Sequence, residues 1–215
     1  MGRRPHIRYP RGTLEAMSTV VPLRGVDTGT AARVLARAFD NDPFMMYIFP
    51  STWWRRRVLP VFLGGVLRYC HRYGEVWTTP DVAGVACWLP PGQVGVTPTR
   101  ALRTGIASVM PLMGRGGLLR FSRLVPAMEQ AHFEQMGDPH WYLWLLGTEP
   151  SRVRHGVAGA VLGPVLRRAD EAAVSAYLNT HLEANLSFYR RHGFESVGDQ
   201  TVDGLRVWGL RRDPR

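Results

Sequence analysis

Lysine is absent. All 27 basic residues among the 215 are arginine, and with 17 acidic residues they leave a net charge of +10. The arginines are spread, as in Arg55-Arg56-Arg57, Arg167-Arg168, Arg190-Arg191 and Arg211-Arg212, so coding bias explains them as well as any single partner. A basic balance permits nucleic-acid binding. No helix-turn-helix, zinc or RNA-binding aromatic motif accompanies it, so nucleic acid is not the expected partner. Cysteine is scarce: Cys70 and Cys87 make neither a disulfide scaffold nor a metal site, and a reducing cytoplasm is the expected location. The seven histidines show no metal-ligand spacing, so no metal is expected. No apolar run approaches the roughly 20 residues that span a bilayer, so no membrane is expected. The basic start Met1-Gly2-Arg3-Arg4-Pro5-His6-Ile7-Arg8 lacks the apolar stretch of a signal peptide. Internal repeats and low-complexity linkers are missing too.

What is present is an ordinary apolar fraction of 45%, enough for one domain with a real core. Residues 1–16 read as a flexible basic arm and 17–215 as the domain. Ser18 to Leu23 reads as a first strand. Asp27 or Thr28 can cap a helix with Ala31, Val34, Leu35 and Phe39 on one face, broken at Asp40-Asn41-Asp42-Pro43. Phe44 to Phe49 is apolar enough to be buried or to line a pocket. Residues 52–72 predict an amphipathic helix with Val58, Val61, Phe62, Val66 and Leu67 inward and a kink at Pro60. Two strands follow, Glu75 to Thr79 and Val85 to Leu89. Residues 97–136 read as a helical insertion broken at Gly114, Gly116 and Gly117. The pattern then gives a strand at 175–180, a helix at 184–192 ended by Gly193, and two strands around Asp203-Gly204. Strands and helices in this order predict one mixed α/β sheet of about six or seven strands with helices on its faces.

The most informative stretch is Trp141 to Leu162. Trp141-Tyr142-Leu143-Trp144-Leu145-Leu146-Gly147-Thr148 is too apolar for an exposed loop. Beyond a tight turn, Val157, Val161, Leu162, Val165 and Leu166 fall at helical spacing. A helix start offers unpartnered N–H groups and partial positive charge. Small residues at Gly156, Ala158 and Gly159 let an anion approach that backbone, and a phosphate or pyrophosphate is the natural ligand. Arg152, Arg154 and His155 add side-chain donors. A glycine-rich helix start packed on a sheet without a ligand fits the same residues equally well.

Three motifs in order, Leu143-x-x-Leu146-x-Thr148-x-Pro150, Gly156-x-Ala158 and Asn185-x-x-x-Tyr189-x-x-x-Gly193-Phe194, resemble the GNAT superfamily of acyl-CoA-dependent N-acetyltransferases. The layout, with Trp88-Leu89-Pro90-Pro91-Gly92 and the insertion, is similar to the actinobacterial branch that includes puromycin N-acetyltransferase. The resemblance implies a GNAT fold with acetyl-CoA, or another acyl-CoA, as cofactor. The backbone of Leu145, Leu146 and Thr148 would bind the pantetheine arm, with an amide near Leu146 serving as oxyanion hole. Val153, Arg154, His155, Gly156, Val157, Ala158 and Gly159 would hold the pyrophosphate. Asn185 would fix the cofactor, and Tyr189 would bind it and protonate the departing thiolate.

Two departures stand out. Val153 occupies a position where the family carries Gln or Arg, and Asn179 one where the puromycin-like branch commonly carries a carboxylate. A base must then come from elsewhere: His181 is the nearest candidate, with Glu183, Glu149 or a water chain as alternatives. Asp40, Asp42, Phe44 and Tyr47 are the expected contacts of the acceptor. No Ser-His-Asp or thiol nucleophile pattern appears, which favours direct attack by the amine. The expected function is acetyl transfer to a small-molecule amine, an antibiotic or secondary metabolite, by a monomer or homodimer. Lysine self-acetylation is excluded by composition. The alternatives are a GNAT-fold enzyme that uses a carrier-protein donor or a non-acetyl reaction, and a basic binding protein with a vestigial site.

Overall fold

The computed structural model describes residues 19–215, so the expected arm at 1–16 lies outside the described residues. Seven strands form one mixed sheet: β1 (Val21–Pro22), β2 (Glu75–Thr78), β3 (Gly84–Leu89), β4 (Trp141–Thr148), β5 (Ala176–Thr180), β6 (Glu195–Val202) and β7 (Leu205–Arg212). Their order is β1-β2-β3-β4-β5-β7-β6, and β4 with β5 is the parallel pair. The helices are α1 (Thr28–Ala38), α2 (Pro43–Ile48), α3 (Thr52–Tyr73), α4 (Pro98–Thr104), α5 (Gly114–Gln135), α6 (Val157–Glu171) and α7 (Leu186–Arg191). Among the described residues no helix is long and apolar enough to cross a membrane.

Two cores form on opposite faces of this sheet. Leu35 of α1, Leu59, Leu63 and Leu67 of α3, and Val85 and Cys87 of β3 fill one. Val161, Leu162 and Val165 of α6 pack with Ala86, Trp88, Leu143 and Leu178 in the other. The alternation along β3, Val85 and Cys87 to one side and Ala86 and Trp88 to the other, follows from the two-residue period of a strand. α6 lies so close to β3 that a Cβ on Gly84 would collide with the Val157 side chain.

Several local expectations need correction. The first strand shrinks to Val21–Pro22. Asp27 stands at the N-cap of α1, but no side-chain cap forms there, and its carboxylate accepts from Arg24 Nε at 2.7 Å instead. Val61 does not face the core; it is 46% exposed, because the inward stripe of α3 runs through Val58, Leu59, Phe62, Leu63, Val66 and Leu67. The break in the 97–136 stretch falls between Gly105 (φ +78°) and Gly114 (φ +63°), with a 3-10 stretch at Ala107–Met113. Gly116 and Gly117 lie inside α5, and Gly117 is small because a Cβ there would sit 2.8 Å from the Ile48 carbonyl oxygen. The expected helix at 184–192 is a 3-10 turn, Glu183–Asn185, followed by α7.

Candidate active site

The central strand contains an irregularity that its alternating burial hides. Opposite β3, Trp88 pairs with Leu143 and Cys87 pairs with Leu145, so Trp144 is an extra residue in β4. Such a bulge bends its strand, increases the local twist, and exchanges the faces of the residues beyond it. Trp141 and Leu143 therefore join the core beneath α6, whereas Leu145 joins the core beneath α1 and α3. The pairing of β4 with β5 ends at the same point. It covers Trp141–Ala176, Tyr142–Tyr177 and Leu143–Leu178. Past it, Leu145 to Thr148 pair with β3 alone, while Asn179 and Thr180 pair with β7 alone. The ladder between the two strands ends there, and one edge of β4 from Leu145 to Thr148 is left without a strand partner. Unpaired strand edges are ready-made binding surfaces for another chain of amides.

The turn after β4 joins it to α6. Glu149 N–H donates to the Ala83 carbonyl at 2.8 Å and its carboxylate accepts from Arg37 Nε at 2.9 Å, anchoring the exit of the strand. A 3-10 turn at Pro150–Arg152 follows, then Arg154 with φ +68° and Gly156 with φ +80°. The left-handed conformation at Gly156 is the reason for glycine there. It occupies the N-cap of α6 and supplies no side-chain cap, so the first N–H groups of α6 stay available. Arg152 is engaged by Asp81 at 3.0 Å. Val153 is 51% exposed and Arg154 and His155 are exposed at the turn, with His155 Nδ1 donating to the Val153 carbonyl at 2.9 Å. Val157 is buried beneath the helix start, and Ala158 and Gly159 are half-buried.

A residue that sequence reasoning missed meets this turn. His192, at the end of α7, donates from Nδ1 to the Phe188 carbonyl at 2.9 Å, which leaves Nε2 as an acceptor. A Cβ on Gly159 would lie 2.7 Å from that Nε2, so Gly159 gives room to His192. The signal was a histidine immediately before the helix-ending Gly193, but nothing in the sequence pairs it with Gly159.

Tyr189 of α7 is buried, in edge contact with Phe188 and Phe194 at ring-centroid distances of 5.2 and 5.9 Å. Burial, reinforced by the Asp42 carboxylate, pushes its phenol well above the ordinary value. Asp42 caps α2 by accepting from Met45 N–H at 3.2 Å, and burial raises its carboxyl to about 6 against the pull of the Met45 and Phe44 amides. His181 follows β5, its ring 5.3 Å from Phe44. Its Nε2 is buried without a hydrogen-bond partner, and burial lowers the imidazole to about 4. Asp42, Phe44, His181 and Tyr189 thus line one region, drawn from α2, the loop after β5, and α7.

The other expected residues sit nearby in settled contacts. Asp40 accepts from Arg56 Nε at 2.8 Å and faces Arg55 at 3.5 Å, so its charge is already countered. Tyr47 donates to Asp203 at 2.8 Å, tying α2 to the β6–β7 hairpin. Asn185 donates to Thr180 Oγ1 at 3.3 Å from an exposed position. Asn179 donates to the Tyr177 hydroxyl at 3.0 Å and accepts from the Tyr142 hydroxyl at 3.5 Å. An amide does both; an ionised carboxylate in its place would only accept.

The mixed seven-stranded sheet flanked by helices has the fold of acetyltransferases of solved structure. No protein-family model matches the chain. A stretch of 67 residues, 31% of this chain, is 31% identical to the uncharacterized N-acetyltransferase YafP of Escherichia coli K12 and spans 41% of that relative's length. The structure is similar to that of a histone acetyltransferase HPA2-related acetyltransferase from Corynebacterium glutamicum, with a TM-score of 0.64, 23% identity, and 92% and 96% of the two chains covered. It is similar also to arylalkylamine N-acetyltransferase 2 from Aedes aegypti, with a TM-score of 0.59, 10% identity, and coverage of 92% and 99%.

Proposed function

We propose that this chain is an acyl-CoA-dependent N-acetyltransferase that transfers an acetyl group from acetyl-CoA to a small-molecule amine. The observation that carries the reading is the end of the β4–β5 pairing, which leaves an edge of Leu145 to Thr148 open just before the chain enters the uncapped start of α6. The residues present fit the cofactor. The β4 edge offers backbone donors and acceptors to the amides of a pantetheine arm. The first turn of α6, from Gly156 to Gly159, offers N–H groups to a diphosphate, with Arg154 and His155 at its rim. Acetyl-CoA supplies an activated thioester; the protein supplies position and protons.

A backbone N–H near Leu146 stabilises the charge that grows on the acyl oxygen. Asp42 is ionised at neutral pH, attracts the protonated amine and takes its proton, because a carboxyl near 6 is poised for that exchange. His181, near 4, is too weak a base at neutral pH but stays neutral, and its unpartnered Nε2 accepts a hydrogen bond from the amine. Tyr189 keeps its proton until the sulfur departs and then donates it, and the second proton that the amine nitrogen loses as the amide forms returns to the Tyr189 oxygen. An amine screen with acetyl-CoA, run on the wild type and on Tyr189→Phe, tests this. Thiol release with an amine that depends on Tyr189 supports the reading, and release by no amine refutes it.

A further inference from the structure

Over much of the surface arginines meet carboxylates: Arg37 on Glu149, Arg152 on Asp81, Arg206 on Asp199, Arg212 on Asp170. Many others lack such partners among the described residues, and four of these share one place. Arg33 of α1, Arg68 and Arg72 of α3, and Arg103 of α4 line an open cleft of about 840 Å³ with Ala32 and Val61 among its apolar lining. Arg68 is fixed in position. Its Nε donates to the Thr104 carbonyl at 2.8 Å, and a Cβ on Gly105 would lie 2.8 Å from its Nη2. Four cations held together without a counter-charge repel one another, and an anion relieves that repulsion. The exposure of Val61, which the core does not use, gives the cleft an apolar surface beside its charges. Its volume lies in the range of small-ligand sites, about 300–1,000 Å³.

The cleft stands apart from the candidate active site. It lies at the start of α1, an 11-residue helix that spans roughly 16 Å before the chain reaches Asp40 and Asp42. The turn at Gly156 belongs to α6, on the opposite face of the sheet. We propose that the arginine cleft is a second binding site, for a phosphate-bearing small molecule of nucleotide size, distinct from the acyl donor and the acceptor. Guanidinium groups bind its phosphate oxygens, and the exposed Val61 side chain meets its apolar body.

The test is a calorimetric titration with adenosine diphosphate. The proteins are the wild type, the triple variant Arg33→Gln/Arg72→Gln/Arg103→Gln, Val61→Glu, and Gly156→Val, with folding checked by thermal melts. The exposed Val61→Glu places a carboxylate in the cleft without touching Arg68, so it serves if the triple variant fails to fold. Binding that survives in Gly156→Val and weakens at least about tenfold in the triple variant or in Val61→Glu is the expected result. Acetyl-CoA binding is expected to be unchanged in both cleft variants. Adenosine diphosphate binding that is equal in wild type and cleft variants, or absent from Gly156→Val, overturns the second site. Preference of the same arginines for a short DNA duplex over the nucleotide also overturns it, in favour of a nucleic-acid surface. None of these results depends on acetyl transfer.

Discussion

The carboxylate of Asp42 acts on the phenol of Tyr189, adding to burial in holding that hydroxyl protonated. One residue comes from the start of a short helix early in the chain and the other from a helix near its end. In the proposed mechanism they are base and acid, and their proton affinities are separated, about 6 for Asp42 and far higher for Tyr189. Such a separation is what a reaction needs when it takes a proton from one partner and returns one to the other.

Tyr189→Phe removes the acid while leaving the ring in place. Turnover is expected to fall by about 10²- to 10³-fold, with acetyl-CoA affinity changed by less than about threefold. Steady-state kinetics alongside titration separate the two. Equal loss in binding and turnover would make Tyr189 a packing residue.

Asp42→Asn retains a good helix cap but cannot accept a proton. Since Asp42 must be ionised to act, wild-type kcat/KM is expected to rise with pH through about 6 and level above it. The variant should lose that limb and about 10² in rate. A pH profile with the same limb in the variant would assign it to another group.

The pair His132 and His140 gives a stability prediction. Their Nε2 atoms are 2.7 Å apart, and His140 Nδ1 donates to the Asp138 carbonyl at 2.7 Å, so His140 Nε2 accepts and His132 Nε2 donates. His132 also stacks on Tyr177 at 4.2 Å, joining α5 to the sheet. Burial and the neighbouring His140 lower His132 to about 3, and burial lowers His140. The folded state keeps both neutral, whereas the unfolded chain takes up protons below about 6.5. Their contribution is therefore fully present above that pH and lost as pH falls towards the folded values. Asp42, raised to about 6, acts oppositely, and its cost fades as pH falls through the window from about 6 to 4. With His181 also lowered, the histidines outnumber it. Urea unfolding midpoints are expected to drop between about pH 7 and 5. The double variant His132→Leu/His140→Leu, which removes both polar partners together, should show a shallower drop. An unchanged slope would remove the pair from the account.

Asn179→Asp tests the tyrosine network. The new carboxylate cannot donate to the Tyr177 hydroxyl, and folding stability is expected to fall by about 1–3 kcal/mol. A thermal melt measures this, and a gain in stability would contradict the assigned hydrogen bonds.

The order of elements was legible because their periodicities were strong: Val157, Val161, Leu162 and Val165 share a helix face, and Asp203-Gly204 marks a hairpin. What escaped was the bulge at Trp144, because a uniformly apolar strand does not show where its faces exchange. Val61 was assigned inward since valine on a helix reads as core, yet here it borders the arginine cleft. The contacts of Asp40 with Arg55 and Arg56, and of Gly159 with His192, depend on packing between distant elements, which local pattern does not encode.

Calorimetric titration with acetyl-CoA, with acetyl-pantetheine as the comparison that lacks the nucleotide, tests the central claim most directly. The account predicts saturable binding of acetyl-CoA, much weaker binding of acetyl-pantetheine, and loss of the difference in Gly156→Val, where a branched side chain is forced into a left-handed turn. Absence of acetyl-CoA binding at high concentration would contradict it and point to a carrier-protein donor or a reaction without this cofactor.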